Sequence, residues 1–130
     1  MKTLIIAALM LAASVQDLPQ QAQTTIAQHF PAEIIYVEID RDLGLIIDYY
    51  DVHFADGTEV KFNSDGEWKE IEGNVPEKLL PKAMTDYVKS KFPSLRIKSV
   101  EKNLRGYDVE LTNDIDMKFN KDGSFRRMDD

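Results

Sequence analysis

The stretch KFNSDG at residues 61–66 returns as KFNKDG at residues 118–123. An outward lysine and an inward phenylalanine followed by Asp-Gly are typical of a strand that ends in a tight hairpin, because glycine accepts positive φ. The asparagine between them is expected to satisfy backbone groups of the turn. The stretch therefore predicts that one hairpin, joining a third strand to a fourth, occurs twice in the chain.

The similarity continues beyond the hairpin. Residues 50–73 align with residues 107–130 without a gap, and eight of these 24 positions are identical. Further upstream the match continues at a different spacing, because the first copy carries extra residues around positions 41–48. Internal self-similarity of this kind indicates a tandem duplication. We expect a first repeat at residues 15–73 and a second at residues 74–130, together forming one compact domain.

Each repeat is predicted to open with a helix that lies between a Leu-Pro and a Phe-Pro dipeptide. Apolar residues recur at every fourth position in residues 19–30 and again in residues 81–92, as on one stripe of a helix. Proline is tolerated in a first helical turn, and the second proline ends the helix. The stripes, which we expect in the core, are Ala22, Ile26 and Phe30 in the first helix and Met84, Val88 and Phe92 in the second.

After each helix the apolar period changes to two, which predicts strands with one buried face. Ile35, Val37 and Ile39 are expected on the buried face of the first strand, and Trp68 and Phe125 as large core residues after the hairpins. The predicted fold class is α+β, a tandem duplication of a helix plus a four-stranded antiparallel unit. The units would form one sheet of roughly eight strands, with both helices on one face and the other face open.

The N-terminus has the pattern of a secretory signal peptide, with Lys2, an apolar run from Leu4 to Ala13 and then small residues. We predict that residues 1–14 are removed by cleavage after Ser14, within two residues. The alternative is a membrane anchor, but the apolar run is about half of the ~20 residues that a spanning helix needs. The predicted location is periplasmic or secreted, with no stable membrane insertion of the mature chain.

The amino-acid composition and the net charge narrow the classes of partner that the protein can bind. The chain has 130 residues, 43% of them hydrophobic, with 16 basic and 23 acidic residues and a net charge of -7. This charge argues against nucleic acid as a partner, because nucleic acid binding needs a basic footprint. The chain has no cysteine, so the fold must be stable without disulfides, as suits a periplasmic domain. We expect a monomer.

Enzymatic chemistry has little support in the residues. There is no cysteine nucleophile, and the two histidines are His29, expected in the last turn of the first helix, and His53, expected to face outward from the second strand. The serines do not occur in a nucleophile-elbow context. No glycine-rich loop suggests a nucleotide and no His or Cys spacing suggests zinc, so we predict no enzyme activity and no cofactor.

The lengthened hairpin of the first repeat leaves two questions open. Asp40, Asp42 and Asp48 could bind calcium or a small ligand, although the stretch lacks the closing glutamate of an EF-hand loop. The interpretation as a solvated acidic hairpin is the simpler one. The tip is unusually apolar, and we expect it in the core rather than as an exposed lip; its apolar residues are Leu43, Leu45, Ile46 and Ile47.

The open sheet face is the better candidate for function. By alternation it carries tyrosines beside mixed charges, a combination typical of protein-binding surfaces because tyrosine buries area and keeps a polar group. An ordinary solvated sheet face is the alternative. The predicted outward residues are Tyr36, Glu38, Tyr49, Asp51, His53, Glu59 and Lys61 in the first repeat and Asp108, Glu110, Asp116 and Lys118 in the second.

Taken together, the signal-like N-terminus, the Leu-Pro and Phe-Pro helix borders and the two KFNxDG hairpins resemble the PepSY-like periplasmic proteins of Bacteroidetes. The resemblance covers about residues 17–130. It implies a fold similar to that of the beta-lactamase inhibitor protein, and hence an open face that binds another protein or a peptide, in an inhibitor-like manner. It brings no contact residue, because no inhibitory loop motif is present.

Overall fold

The computed structural model describes residues 13–44 and 46–129. Contacts divide the chain into two compact units, of which the first ends at Trp68 and the second begins at Lys69. Along the chain, the series of a short 3₁₀ turn, a helix and four strands occurs twice, and most of the fourth strand of the first series belongs to the second unit. The division of the repeats after residue 73 stays a prediction.

The first unit begins with a 3₁₀ turn at Val15–Asp17, followed by helix α1 at Gln20–His29. Strands β1, β2 and β3 pair antiparallel in chain order. Strand β4 begins at Trp68, the last residue of this unit. The strand bounds are Ile34–Asp42 for β1, Ile46–Phe54 for β2, Glu59–Asn63 for β3 and Trp68–Glu72 for β4.

The second unit has a 3₁₀ turn at Glu77–Leu79 and helix α2 at Lys82–Lys91. From β4 onward each strand pairs antiparallel with the next. Eight strands are hydrogen-bonded in chain order, so the predicted α+β class with an eight-stranded antiparallel sheet is confirmed. The remaining strands are Ile97–Lys102 for β5, Gly106–Leu111 for β6, Asp116–Asn120 for β7 and Phe125–Asp129 for β8.

The helix borders follow the prolines as predicted. Pro19 and Pro81 are the N-cap residues of α1 and α2, because proline needs no hydrogen-bond partner for its nitrogen there. Phe30 and Phe92 are the C-cap residues, each followed by a proline that cannot extend the helix. His29 is the last residue of α1, as expected from the sequence.

In each unit the helix packs on one face of its strands. In the first unit the ring of Phe30 stacks on Phe54 of β2 at 5.3 Å between centroids. In the second unit Tyr87 of α2 contacts Phe119 of β7 edge-on at 5.9 Å and stacks on Phe125 of β8 at 4.5 Å. The predicted stripes are buried except at one residue: Phe92, the C-cap of α2, is only half-buried. The opposite face of the strands faces solvent.

The repeated KFNxDG stretch connects each hairpin to its helix. Gly66 and Gly123 have φ of +95° and +91°, which favours glycine. A Cβ at Gly66 would lie 3.0 Å from the Cβ of Pro19, and one at Gly123 would lie 2.7 Å from the Cβ of Pro81. The turn therefore needs glycine twice over, for its backbone conformation and for its close approach to the start of the helix.

The aspartate of this stretch, rather than the asparagine, satisfies the turn. Asp65 Oδ1 accepts a hydrogen bond from the Glu67 backbone N–H at 3.0 Å. Asp122 Oδ1 accepts one from the Ser124 N–H at 2.9 Å, and the hydrogen bonds from Ser124 lower the pKa of the Asp122 carboxyl. The role that we expected of the asparagine side chain is wrong, because the Asx turn that begins at the aspartate spans these two backbone positions.

A bulge overturns one burial expectation. Ile35 is predicted to lie inside but is 62% exposed, because the β1–β2 register shifts between Ile34 and Tyr36 and brings Ile34 opposite Phe54. A bulge moves one residue out of the alternation, so a strict period of two misplaces it.

The apolar tip of the lengthened hairpin is also not in the core. Leu43 is 89% exposed and Ile46 is 65% exposed, so the expectation of burial is wrong for these two residues. Leu43 and Gly44 have φ of +52° and +74°, the positive values of a tight hairpin turn. Leu45 and the signal-peptide prediction for residues 1–12 lie outside the described residues.

Candidate binding face

The outer face of the first unit consists of three cross-strand rows on the side opposite α1. One of them, which we call the tyrosine row, places Tyr36 of β1 beside His53 of β2 and His53 beside Glu59 of β3. The Tyr36 and His53 rings stack at 4.1 Å between centroids with planes 13° apart. Such near-parallel contact excludes water from one side of each ring.

Two carboxylates approach the same imidazole. His53 Nε2 lies 3.0 Å from Glu38 Oε1, and His53 Nδ1 lies 3.6 Å from Glu59 Oε1. The side chain of His53 is 17% exposed, whereas those of Glu38 and Glu59 are 61% and 55% exposed. The histidine is thus largely covered, and the carboxylates beside it face solvent.

The neighbouring row, which we call the first lysine row, contains Glu38, Asp51 and Lys61 on successive strands. Lys61 Nζ lies 4.9 Å from the centroid of the Tyr49 ring, a cation–π distance. Burial raises the pKa of the Asp51 carboxyl, Lys61 opposes this shift, and the carboxylate of Glu38 adds to it. The folded state therefore disfavours the charged form of the Asp51 carboxyl.

The third row of the first unit completes the face. It places Asp40 of β1 opposite Tyr49 of β2, and Tyr49 opposite Asn63 of β3. Within the three rows, four positions carry carboxylates and one carries an ammonium group. The first-unit outer face is thus a negatively charged sheet surface with aromatic rings embedded in it.

The second unit repeats the arrangement with different side chains. Where the first unit has Tyr36, His53 and Glu59, the register of β5, β6 and β7 aligns Ser99, Glu110 and Asp116. The adjacent row, the second lysine row, aligns Glu101, Asp108 and Lys118, which matches the acid–acid–lysine order of the first unit. The second-unit outer face therefore keeps one row and lacks the aromatic stack of the other.

Lysines of the second unit lie close to the carboxylates of its own outer face. Lys118 Nζ lies 3.2 Å from Asp108 Oδ2, and Lys69 Nζ lies 3.4 Å from Glu101 Oε2. Lys98 pairs with Asp114 and lies 3.7 Å from Glu110 Oε2. A shallow hollow of about 210 Å³ lies between these two rows and Glu70. Three of the carboxylates that line it, those of Glu101, Asp108 and Glu110, have a lysine of the same unit close by.

Both predicted sets of outward residues lie where the alternation placed them. The seven from the first repeat share the first-unit outer face, and the four from the second share the second-unit outer face. Sequence reasoning missed Asp40, Ser99 and Glu101, which lie on the same rows. The alternation around Val100 could have revealed the last two, whereas the carboxylates at His53 required the strand register.

The acidic hairpin lacks the geometry of a metal centre. Within residues 13–44 and 46–129, no group of three or more His, Asp or Glu side chains is arranged to hold a metal ion. Asp40 and Asp42 pair with Tyr49 and Ile46 across the β1–β2 ladder. A register shift between Asp40 and Arg41 lies between these two aspartates in β1.

These features define a class of protein, an α+β fold in which a helix followed by antiparallel strands occurs twice along the chain, with one face of the strands toward a helix and the other toward solvent. The chain belongs to the PepSY-like family, because residues 48–127 match the family model described as "Putative beta-lactamase-inhibitor-like, PepSY-like". The predicted resemblance is confirmed. A search of curated protein sequences finds no match to the chain.

Solved structures agree with this assignment. The chain is similar to a periplasmic protein of unknown function from Bacteroides vulgatus, with 34% identity, a TM-score of 0.81, and coverage of 92% of this chain and 98% of that one. It is also similar to a "putative calcium-regulated periplasmic protein" from Bacteroides thetaiotaomicron, with 28% identity, a TM-score of 0.84, and coverage of 92% and 95%. A third, a Bacteroides vulgatus periplasmic protein of the DUF2874 family, has 29% identity, a TM-score of 0.81 and the same coverage.

The similarity to these three periplasmic proteins confirms the predicted periplasmic location of the chain. In the part of the chain that the structure describes, no helix has the length and hydrophobicity of a membrane span. Neither the matched family nor the solved relatives are described by an enzymatic activity. The removal of residues 1–14 as a signal peptide stays a prediction.

Proposed function

We propose that the protein is a monomeric, non-enzymatic periplasmic binding module that recognises a protein or peptide through the first-unit outer face. The observation that carries the proposal is the stack of Tyr36 on His53, whose ring centroids are 4.1 Å apart. This stack lies on the face of the sheet opposite the helix. Tyr36 is still 45% exposed, so a partner can bury further area on it. Tyrosine in such a position is a typical anchor of protein interfaces.

Two further features support a macromolecular partner rather than a small molecule. The outer face is a sheet surface with rows of charged side chains, and small ligands prefer concave and mostly apolar pockets. The family description also places the fold beside an inhibitor of an enzyme, which favours a protein as the partner. Fold similarity alone does not identify that partner.

The test places a photo-crosslinking amino acid at position 36 or at position 49 of the full chain. The protein is produced in its native organism, so that crosslinks form in the native cell envelope. We expect a crosslink to one defined protein or peptide from position 36 or position 49. The matched control is position 24, because Thr24 is exposed on α1 on the helix side of the same unit. An equal yield of the same product from position 24 would contradict the proposal, and so would the lack of any product from positions 36 and 49.

A second candidate function is binding of calcium or a small ligand by the acidic hairpin that contains Asp40, Asp42 and Asp48. One similar protein is described as calcium-regulated, which is the observation in its favour. The absence of a three-carboxylate group among the described residues argues against a preformed site. A ligand that binds the native state raises the melting temperature by mass action.

We therefore expect the melting temperature in millimolar calcium to equal that in chelator if the binding-module proposal is right. The triple variant Asp40→Asn, Asp42→Asn, Asp48→Asn is the control for a non-specific salt effect. A rise in the wild-type protein that the variant lacks would favour the calcium function.

A further inference from the structure

The exposed surface around the tyrosine row has a specific chemical character. His53 stacks on one face of the Tyr36 ring, while Tyr36 as a whole remains 45% exposed. Glu38 lies two residues further along β1 on the same side of the strand, with its carboxylate 3.0 Å from His53 Nε2. An open aromatic plane therefore lies next to an exposed carboxylate.

The two carboxylates that flank His53 retain acceptor capacity. An ionised carboxylate has about four acceptor positions, and a neutral imidazole has one N–H to donate. His53 lies between Glu38 and Glu59, so a neutral His53 can donate to only one of them. Since both side chains are more than half exposed, a partner can supply the missing donors without breaking the Tyr36–His53 stack.

The charge of the face favours a cation. Of the nine positions in its three rows, Glu38, Asp40, Asp51 and Glu59 are acidic and Lys61 is basic. Lys61 lies over Tyr49 and beside Asp51, and although it shares a row with Glu38 it is on β3, two strands away from Glu38. The tyrosine row thus lacks a lysine of its own, and a basic partner is electrostatically complementary to it.

We propose, on the basis of the function proposed above, that the partner inserts an arginine side chain that stacks on Tyr36 and donates hydrogen bonds to Glu38. A guanidinium group is planar, stacks on aromatic rings and presents N–H groups in a fork that matches a carboxylate. A lysine ammonium is a point charge without a plane to stack. The site should therefore bind arginine more tightly than lysine, and more tightly than a neutral analogue of the same shape.

The second unit provides an internal control for this inference. At the positions equivalent to Tyr36 and His53 it has Ser99 and Glu110, and Lys98 already lies near Glu110. Its Asp108 carboxylate is paired with Lys118. The second-unit outer face is acidic but has no open aromatic plane in these rows, so it should attract arginine and lysine alike and only weakly.

The experiment is an NMR titration of the full chain with three blocked tripeptides that differ only in the central residue, arginine, lysine or citrulline. We expect the arginine peptide to shift the amide signals around Tyr36, Glu38 and His53 and to saturate with a Kd of about 1 mM. The lysine peptide should bind several-fold more weakly, and the citrulline peptide should not bind.

Two variants and a matched control define the site. Tyr36→Leu keeps apolar area but removes the aromatic plane, and Glu38→Gln removes the charge; each should weaken arginine binding several-fold. Glu101→Gln changes the position equivalent to Glu38 in the second unit and should leave binding unchanged. A dispersed spectrum of each free variant shows that it is folded.

Two results would overturn the inference. One is equal binding of the arginine and lysine peptides with shifts spread over both units, and the other is an equal loss in Glu101→Gln and Glu38→Gln. If crosslinking from position 36 finds a partner while the arginine peptide does not bind, the arginine inference fails and the proposed function stands. If the peptide binds as expected and no crosslink forms, the arginine site stands and the proposed protein partner fails.

Discussion

Both units contain a helix, antiparallel strands, the repeated turn stretch and a lysine row, yet their outer faces differ, most of all at the tyrosine row. Tyr36 and His53 of the first unit correspond to Ser99 and Glu110 of the second. In the first unit two rings stack and their carboxylates face solvent, whereas in the second the carboxylates have lysines of the same unit beside them. The elements that maintain the fold are thus shared, and the difference is concentrated where a partner could bind.

The largest expected effect is a loss of stability on substitution at the start of β6. Gly106 is there at the position equivalent to Tyr49 of the first unit. A Cβ at Gly106 would lie 2.0 Å from the Phe119 backbone oxygen, and its φ is +149°. We expect Gly106→Ala to lower the free energy of unfolding by about 3 kcal/mol, measured by urea denaturation.

Tyr49→Ala is the matched control for that substitution. It removes the contact with Lys61 and should cost about 1 kcal/mol or less. Equal losses in the two variants would mean that the units accept side chains at this position alike.

The next effect concerns the repeated turn. Gly66→Ala and Gly123→Ala should each destabilise by about 2 kcal/mol, because each adds a Cβ at positive φ against the start of a helix. Gly123→Ala should cost more, since its Cβ would lie 2.7 Å from Pro81, compared with 3.0 Å from Pro19 for Gly66. Denaturant unfolding checks this order, and Gly57→Ala, with no atom within 4 Å of its Cβ, isolates the cost of positive φ alone.

A smaller effect is expected from exchanging the differing row. Tyr36→Ser should weaken binding of the arginine peptide by about tenfold, which corresponds to 1.4 kcal/mol. The reverse double change, Ser99→Tyr with Glu110→His, should create a second stack and raise the number of bound peptides from one to two. NMR titration measures both, and an unchanged stoichiometry would show that the stack is insufficient without its surroundings.

The smallest effect concerns the lysine rows. Because burial raises the pKa of Asp51, its charged form is disfavoured in the folded state, and this penalty exists above the folded pKa. Asp51→Asn should therefore stabilise the protein near neutral pH by about 0.5 kcal/mol or less, since the group is partly solvated. The gain should disappear as the pH falls through the folded pKa, because Asp51 itself is then protonated.

Asp108→Asn is the counterpart in the second unit. Asp108 lies 3.2 Å from Lys118, so the loss of its charge should give no gain or a small loss. Thermal melts at about pH 7 and about pH 4 compare the two variants. A gain in both would mean that the two lysine rows are electrostatically equivalent.

Much of the fold could be predicted from local patterns. The helix borders follow from prolines whose φ and missing N–H act within one turn. The outward positions of β1, β2, β3, β6 and β7 follow from a period of two, which gave the predicted face residues. The same rule failed at Ile35, because a bulge depends on the partner strand as well as on the strand itself.

The contacts within the face could not be predicted in the same way. Glu38 and His53 are 15 residues apart in the chain, and only the β1–β2 register brings their side chains to 3.0 Å. The exposure of Leu43 likewise depends on the direction of the hairpin tip, which the apolar composition alone did not indicate.

The sequence by itself determined the repeated helix-and-strand order, the two glycine turns and the outward side chains, because each depends on backbone preferences within a few residues. Only the tertiary structure decided that His53 lies under Tyr36 between two carboxylates, while the equivalent Glu110 lies near Lys98. The physical reason is that charges and rings interact across strands, so their environment is set by register and packing rather than by neighbours in the chain.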